Sequence, residues 1–294
     1  MRIRSSTWLT AACFITLSGV AAPAWALDAA PPAPTPAKPV TRIGFVAHRA
    51  VYDLELGETR GSSNVETMRG RIVYDFSGNA CDGYALKFRQ VTQIGVSGGG
   101  QNTSDLRSAT FEDDQGKSFR FSSQNYINQK LDTSIDGSAD RTESGSVGVS
   151  LKQPKQTTFQ LPQGVTFPTL QMKQIVEAAE AGQNVFESKI YDGSDGGEKI
   201  YSTLAVIGKK VDASKPREGA AADRKELDGI DRWPVTISYF DTSKVATGEQ
   251  TPVYSMSFDL YADGISGNIR LDYGDFTLKG TMSSLEFLPS GQCN

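Results

Sequence analysis

From Ala47 to Leu288 the sequence falls into short runs of alternating apolar and polar residues, each stopped by Gly, Asn, Asp or Pro. In the first run, Tyr52, Leu54 and Leu56 alternate with Val51, Asp53 and Glu55 before Gly57 ends it. A period of two sends successive side chains to opposite faces of an extended chain, which is the mark of a half-buried strand. Val65 to Phe76 repeats the pattern, with Ile72, Tyr74 and Phe76 on one face. Further runs cover 84–96, 105–111, 118–126, 130–141, 146–152 and 157–161, then 186–192, 199–209, 233–241, 253–263, 268–278 and 279–288. Roughly thirteen or fourteen strands at this spacing predict consecutive antiparallel hairpins. A sheet of that length has to curl, because a flat one leaves unpaired edges. The expected fold is therefore mainly β: one long antiparallel, strongly curved sheet, a β-spiral or open barrel, with one main α-helix.

The helix is the exception to the strand rhythm. Met172, Ile175, Val176 and Ala179 fall at i, i+3, i+4 and i+7, an apolar stripe along one helix face, with Gln171, Lys173 and Gln174 expected to face outward. Pro168 suits the first turn, Thr166 and Thr169 are the candidate caps, and Gly182 is placed to close the last turn. A short helix with one apolar face is expected to plug or cover one side of the curved sheet.

Before the first strand lie two segments of different character. Arg2 and Arg4 precede an apolar stretch, Trp8 to Ala22, which ends at Ala24-Trp25-Ala26. This predicts a signal peptide over residues 1–26 with cleavage near Ala26, and hence export to the periplasm. The stretch is shorter than the ~20 residues that span a bilayer, so a membrane-spanning anchor is not expected. Residues 27–44 are rich in Ala and Pro and read as an extended spacer, and 45–294 as a single β domain. Losing Arg2 and Arg4 takes the formal charge from −4 to −6, with no dense basic stripe, which argues against a nucleic-acid partner.

Cleavage removes Cys13 and leaves Cys81 and Cys293. In an oxidising compartment an even pair of cysteines is expected to form a disulfide, the alternative being two free thiols.

The remaining residues argue against catalysis. His48 is the only histidine, so any Ser-His-Asp or Cys-His arrangement must use it, and it sits at the start of a strand with no nucleophile motif nearby. A zinc site with several imidazoles is impossible. Asp192-Gly-Ser-Asp195-Gly-Gly-Glu198 has oxygen ligands but departs from the calcium-loop order, and reads as a hairpin loop. Gly98-Gly-Gly100 lacks the strand–loop–helix context of a phosphate loop and reads as a turn. The charged stretch Asp212 to Gly229 reads as a solvated insertion. No catalytic residue, metal ligand or cofactor is assigned, and ligand-binding residues stay unassigned. Aromatics recur on the strand faces: Tyr52, Phe76, Phe88, Phe119, Phe121, Tyr239, Phe240, Phe258 and Phe276. A curved sheet with such a face can enclose an apolar groove.

Four segments, His48–Leu54, Leu161–Thr169, Tyr191–Asp195 and Arg232–Phe240, resemble the EipB family of periplasmic cell-envelope integrity proteins of alphaproteobacteria. The resemblance implies a β-spiral with a helix, a disulfide between an early and a C-terminal cysteine (here Cys81 and Cys293), and a role in envelope stability. It carries over no catalytic residue. The expectation is a non-enzymatic periplasmic protein that binds a lipidic ligand, a lipoprotein or another envelope protein, with a homodimer left open. The rival is a hydrolase of envelope polysaccharide, which requires two carboxylates about 5–10 Å apart in a cleft.

Overall fold

A computed structural model describes residues 44–61, 63–212, 214–243 and 250–291. The expected signal peptide, the spacer up to residue 43 and Cys293 lie outside the described residues. Eight strands come first: β1 (His48–Thr59), β2 (Val65–Asn79), β3 (Gly83–Val96), β4 (Gly100–Glu112), β5 (Ser118–Ile127), β6 (Lys130–Arg141), β7 (Val147–Gln153) and β8 (Thr157–Leu161). A two-residue β9 (Val165–Thr166) leads into helix α1 (Pro168–Glu180). The chain continues with β10 (Val185–Ile190), β11 (Tyr201–Ile207), β12 (Arg232–Asp241), β13 (Tyr254–Tyr261), β14 (Ser266–Asp272) and β15 (Phe276–Phe287).

All fifteen strands belong to one sheet, in the order β8-β7-β6-β5-β4-β3-β2-β1-β15-β14-β13-β12-β11-β10-β9. Each of β1 to β8 is hydrogen-bonded to its sequence neighbour, and so is each of β9 to β15, whereas β8 and β9 lie at opposite ends of the sheet. The two meanders join where β1 pairs antiparallel with β15, His48 opposite Phe287 and Glu55 opposite Lys279. Among the described residues the pairing of β9 with β10 is the one parallel contact, and α1 is its crossover. Short sequence separation lets hairpins form antiparallel pairs, whereas a parallel pair needs a helix-sized connection.

The sheet curls so that its inner face meets itself. Phe119, Phe121, Ile135, Val149 and Leu151 from β5–β7 and Leu161 of β8 share a buried cluster with Val165 of β9, at the opposite end of the sheet, and with Phe167 and Tyr191, which follow β9 and β10. Here the two ends of the sheet are held by side chains rather than by a strand ladder. Tyr191 meets Phe121 edge-on, ring centroids 5.7 Å apart, and its hydroxyl donates to Gly197 O at 2.6 Å. Gly193, at φ +71°, leaves no room for a side chain, since a Cβ there would stand 2.4 Å from the Phe121 ring. A second cluster gathers Ala50, Tyr52, Leu54, Ile72, Leu278 and Met282. The third packs α1 through Ile175, Val176 and Ala179 against Phe76, Tyr84, Ala205, Trp233, Val235 and Ile237.

The sheet has fifteen strands against the thirteen or fourteen expected, the addition being β9, and the boundary between the last two runs lies elsewhere than expected. β9 is too short to show a period. At the C-terminus, the runs read as 268–278 and 279–288 are divided instead at Tyr273–Asp275, where Gly274 turns the chain at φ +88°.

Helix α1 departs further from expectation. Gln171 and Lys173 face inward, with 2% and 6% exposure, because the helix has protein on nearly every side. Its N-cap is Phe167, with no side-chain cap of its own, so neither Thr166 nor Thr169 serves. The close is as expected: Gly182 has φ +73°, Gly182 N donates to Ala179 O, and Gln183 N donates to Ala178 O, the paired bonds of a Schellman end.

The Asp212–Gly229 stretch is also corrected. It is not simply solvated, because Ala222 and Leu227 are buried in the second cluster. Short 3-10 turns at Ala220–Ala222 and Lys225–Leu227 give it shape.

Candidate functional site

The face carrying Ala50, Tyr52 and Leu54 on β1 and Trp233, Val235 and Ile237 on β12 is buried. By strand register the same face continues across β3, β4 and β5 through Phe88, Gln90, Leu106, Ser108, Thr110, Ser123 and Asn125. There it is only half-buried. This part of the inner surface is uncharged, mixes amide and hydroxyl groups with Phe88 and Leu106, and is not filled by the helix.

From β11 to β15 the same face carries a chain of aromatic rings. Tyr201 lies 6.1 Å from Tyr239, Tyr239 stacks on Tyr254 at 4.2 Å, Tyr254 lies 6.4 Å from Tyr273, and Tyr273 lies 5.2 Å from Phe276. Tyr273 ends the series exposed at the β14–β15 turn. Of the aromatics singled out in the sequence, Tyr52, Phe76, Phe119, Phe121, Tyr239 and Phe258 fill the core. Phe88, Phe240 and Phe276 remain partly accessible.

A groove of about 390 Å³ opens beside β9 and β10, with Arg141, Thr166, Leu170, Phe186 and Ser188 among its walls. A second, of about 430 Å³, lies over Arg69, Arg71, Val91 and Gln93 of β2 and β3. Neither groove holds the facing carboxylates a polysaccharide hydrolase requires; Glu187 is the one acid in the first, and the second has none.

The polar chemistry concentrates at the start of α1. Glu112, at the end of β4 and 2% exposed, accepts from Thr169 N at 2.7 Å and Leu170 N at 2.8 Å. A carboxylate so placed satisfies two of the free N–H groups that every helix start leaves, and it meets the positive end of the helix dipole. Desolvation pushes its pKa up to about 7, against the opposing pull of those two N–H groups and of Lys173. One turn on, Lys173 forms a buried ion pair with Asp114 and lies 4.5 Å above the Tyr84 ring. Gln171 donates to Ser188 Oγ at 2.9 Å and Thr203 Oγ1 at 2.8 Å, tying the helix to β10 and β11. Sequence reading missed these three groups. Their partners lie far away in the chain, although a helix opening on Phe-Pro with no cap of its own is a sign that a distant acceptor must exist.

The residues weighed for chemistry in the sequence fall into structural places. His48 is buried, with Nδ1 2.9 Å from Val46 O and its ring 5.6 Å from that of Tyr74. Burial holds its pKa below the usual imidazole value. Asp192–Glu198 is the turn from β10 to β11: Ser194 N donates to Asp192 Oδ1 at 2.9 Å, and Asp195 accepts from the Tyr201 hydroxyl and from Lys199. Among the described residues no His, Cys, Asp and Glu side chains are grouped to hold a metal ion. Cys81 is exposed in the β2–β3 turn, where Asn79 Oδ1 accepts from its N–H at 2.7 Å. Among the described residues no helix is long and apolar enough to cross a membrane.

By fold and surface this is a barrel-like β protein whose accessible features are grooves, an inner face and a strand edge. Comparison with known proteins gives the family. The EipB-like family matches residues 40–289. The cell envelope integrity protein EipB of Brucella abortus (strain 2308) is 35% identical over 256 residues, which is 87% of this chain and 89% of that protein. A crystal structure of a beta-barrel-like protein of a domain of unknown function, DUF1849, also from Brucella abortus, superposes with a TM-score of 0.75 at 34% identity. It covers 83% of this chain and 99% of that one. The chain belongs to the EipB-like family.

Proposed function

We propose that this is an exported, non-enzymatic protein that supports cell-envelope integrity by holding a lipidic ligand on the half-exposed inner face of β3–β5. The envelope role comes from the name of the Brucella relative. The ligand reading is carried by one observation: Phe88, Leu106, Ser108, Ser123 and Asn125 are half-buried, while residues of the same face on β1 and β12 are closed off. An uncharged surface with apolar side chains set among hydroxyls and amides suits an acyl chain with a polar head better than it suits a charged metabolite. The non-enzymatic reading is supported by the structural employment of His48 and Glu112.

The reading includes a periplasmic location after cleavage near Ala26, a single domain over 45–294, and a disulfide between Cys81 and Cys293. The bridge is supported by the position of Gly291, where a Cβ would stand 3.2 Å from the Asn79 side chain at the start of the turn that carries Cys81.

The test is uptake of dansyl-undecanoic acid by the mature chain, with mass spectrometry of lipids carried through purification from the periplasm. Binding is expected, and Leu106→Glu should weaken it at least tenfold without changing the melting temperature. A parent chain that neither carries lipid nor takes up the probe would end the ligand reading.

A further inference from the structure

We propose that the outer edge of β10, together with the groove beside it, receives an extended, carboxylate-bearing peptide segment of a partner protein as an added strand. The proposal stands on this edge alone and does not depend on the lipid reading.

On one side β10 is paired along its whole length with β11, from Val185 opposite Val206 to Ile190 opposite Tyr201. On the other side β9 reaches only Lys189 and Ile190. Among the described residues, no strand lies beside Val185–Ser188 on that side. Backbone parity says which groups are left over. Asn184 O accepts from Ile207 N, so even-numbered residues turn their amides and carbonyls to β11; Tyr191 N donates to Thr166 O, so odd-numbered ones turn toward β9. By the two-residue period, Val185 and Glu187 direct their N–H and C=O groups outward, past the end of β9. A backbone edge of this kind is completed by another extended chain, through main-chain bonds that no lipid or sugar supplies in the same register.

The groove gives that chain a chemistry. Thr166 is 6% exposed and lines the groove, and its hydroxyl oxygen is the one buried side-chain polar atom among the described residues that has no hydrogen-bond partner. Arg141 donates to Gly116 O at 3.0 Å and Val165 O at 2.7 Å, and more distantly to Gly145 O. Its charge meets no carboxylate within ion-pair distance among the described residues. A guanidinium that donates only to carbonyls and lies 5.4 Å over the Phe167 ring, beside an unpartnered hydroxyl, is a place for an anion. Glu187, the groove's one acid, is itself exposed and favours a basic residue, and the Val185–Val206 pair, 51% and 50% exposed, offers an apolar shelf. The segment that fits is extended, with an acidic residue toward Arg141 and Thr166 and apolar or basic residues toward Val185 and Glu187.

The test is to pan a phage-displayed heptapeptide library against the full mature chain and to measure the enriched peptides, fluorescein-labelled, by anisotropy. Enriched sequences are expected to carry an acidic residue and to lose at least tenfold in affinity when that residue becomes its amide. Glu187→Pro removes an outward N–H while sparing the ladder to β11, and should lower affinity at least tenfold with an unchanged melting temperature. Thr166→Val keeps the shape and should weaken acidic peptides alone. No enrichment over empty support, equal binding to the parent and Glu187→Pro, or indifference to the acid-to-amide change would each overturn the proposal. So would a parent dimer in sedimentation that Glu187→Pro dissociates, because a second copy would then occupy the edge. If Glu187→Pro proves unstable, Val185→Pro is the second variant. Uptake of the acyl probe is read on the same parent preparation, so failure of either proposal is seen separately.

Discussion

At the scale of single residues, the start of α1 gathers two buried charged side chains, Glu112 and Lys173. Glu112 has its carboxyl shut away from water, and burial outweighs the two amide donors, so its pKa rises from 4.5 to about 7. The sign of the consequence follows from proton linkage. Below pH 4.5 the group is protonated in both folded and unfolded chains and costs nothing. Between 4.5 and 7 the unfolded chain has lost the proton while the folded one keeps it, so stability falls as pH rises; above 7 the loss is complete. At ~1.4 kcal/mol per pKa unit the whole loss is on the order of 3 kcal/mol. His48, whose pKa is lowered by burial, works the other way, adding a loss as pH falls below about 6.5. Urea denaturation at several pH values between 4.5 and 7.5 separates the two. Glu112→Gln should flatten the fall with rising pH, although it also weakens the helix cap; parallel curves for parent and variant would refute the assignment.

At the scale of elements, the Asp212–Gly229 excursion behaves as part of the core although its sequence is that of a loop. Arg217 donates to Arg224 O and Leu227 O, Arg224 donates to Leu285 O, and Arg232 donates to Lys215 O and Pro216 O. These bonds press Leu227 into the second cluster, where it is 1% exposed. Leu227→Ala should therefore cost about 2–5 kcal/mol, as for a core leucine, and Lys225→Ala on the solvent side should cost nearly nothing. Thermal melts of the two variants decide it, and equal melting temperatures would return the segment to the surface. This element also marks the limit of what could be read from sequence. The strands were legible because alternation is local: Tyr52-Leu54-Leu56 declares its face within a few residues. The helix existed in the sequence for the same reason. Its surroundings did not, since Lys173 and Gln171 look like solvent residues until Asp114, Ser188 and Thr203 are brought to them by pairings far along the chain. The excursion was misread because arginines that bind carbonyls look identical, in sequence, to arginines that bind water.

At the scale of the whole molecule, the first and last strands are neighbours in the sheet. β15 lies beside β1, and β1 beside β2, with His48 opposite both Phe287 and Phe76. Three residues after Phe76 the chain reaches the turn that carries Cys81, and three after Phe287 it runs on toward Gly291 beside Asn79. A bridge from Cys81 to Cys293 would close a loop that runs from the β2–β3 turn to the residues beyond β15. In the chain-entropy account, a loop of about 210 residues restricts the unfolded state by up to ~5 kcal/mol, and native strain subtracts from that figure. For a domain of this size each kcal/mol moves the melting temperature by about 2–4 °C, so Cys81→Ser should lower it by roughly 10 °C. Cys293→Ser should do the same, and the double variant should be no worse than either, because all three lose one and the same bond. Reducing agent should bring the parent down to the level of the variants and leave the variants where they are. Peptide mapping without reduction gives the direct answer: a linked pair of peptides containing Cys81 and Cys293 is expected, and two free thiols in protein taken from the periplasm would refute the bridge.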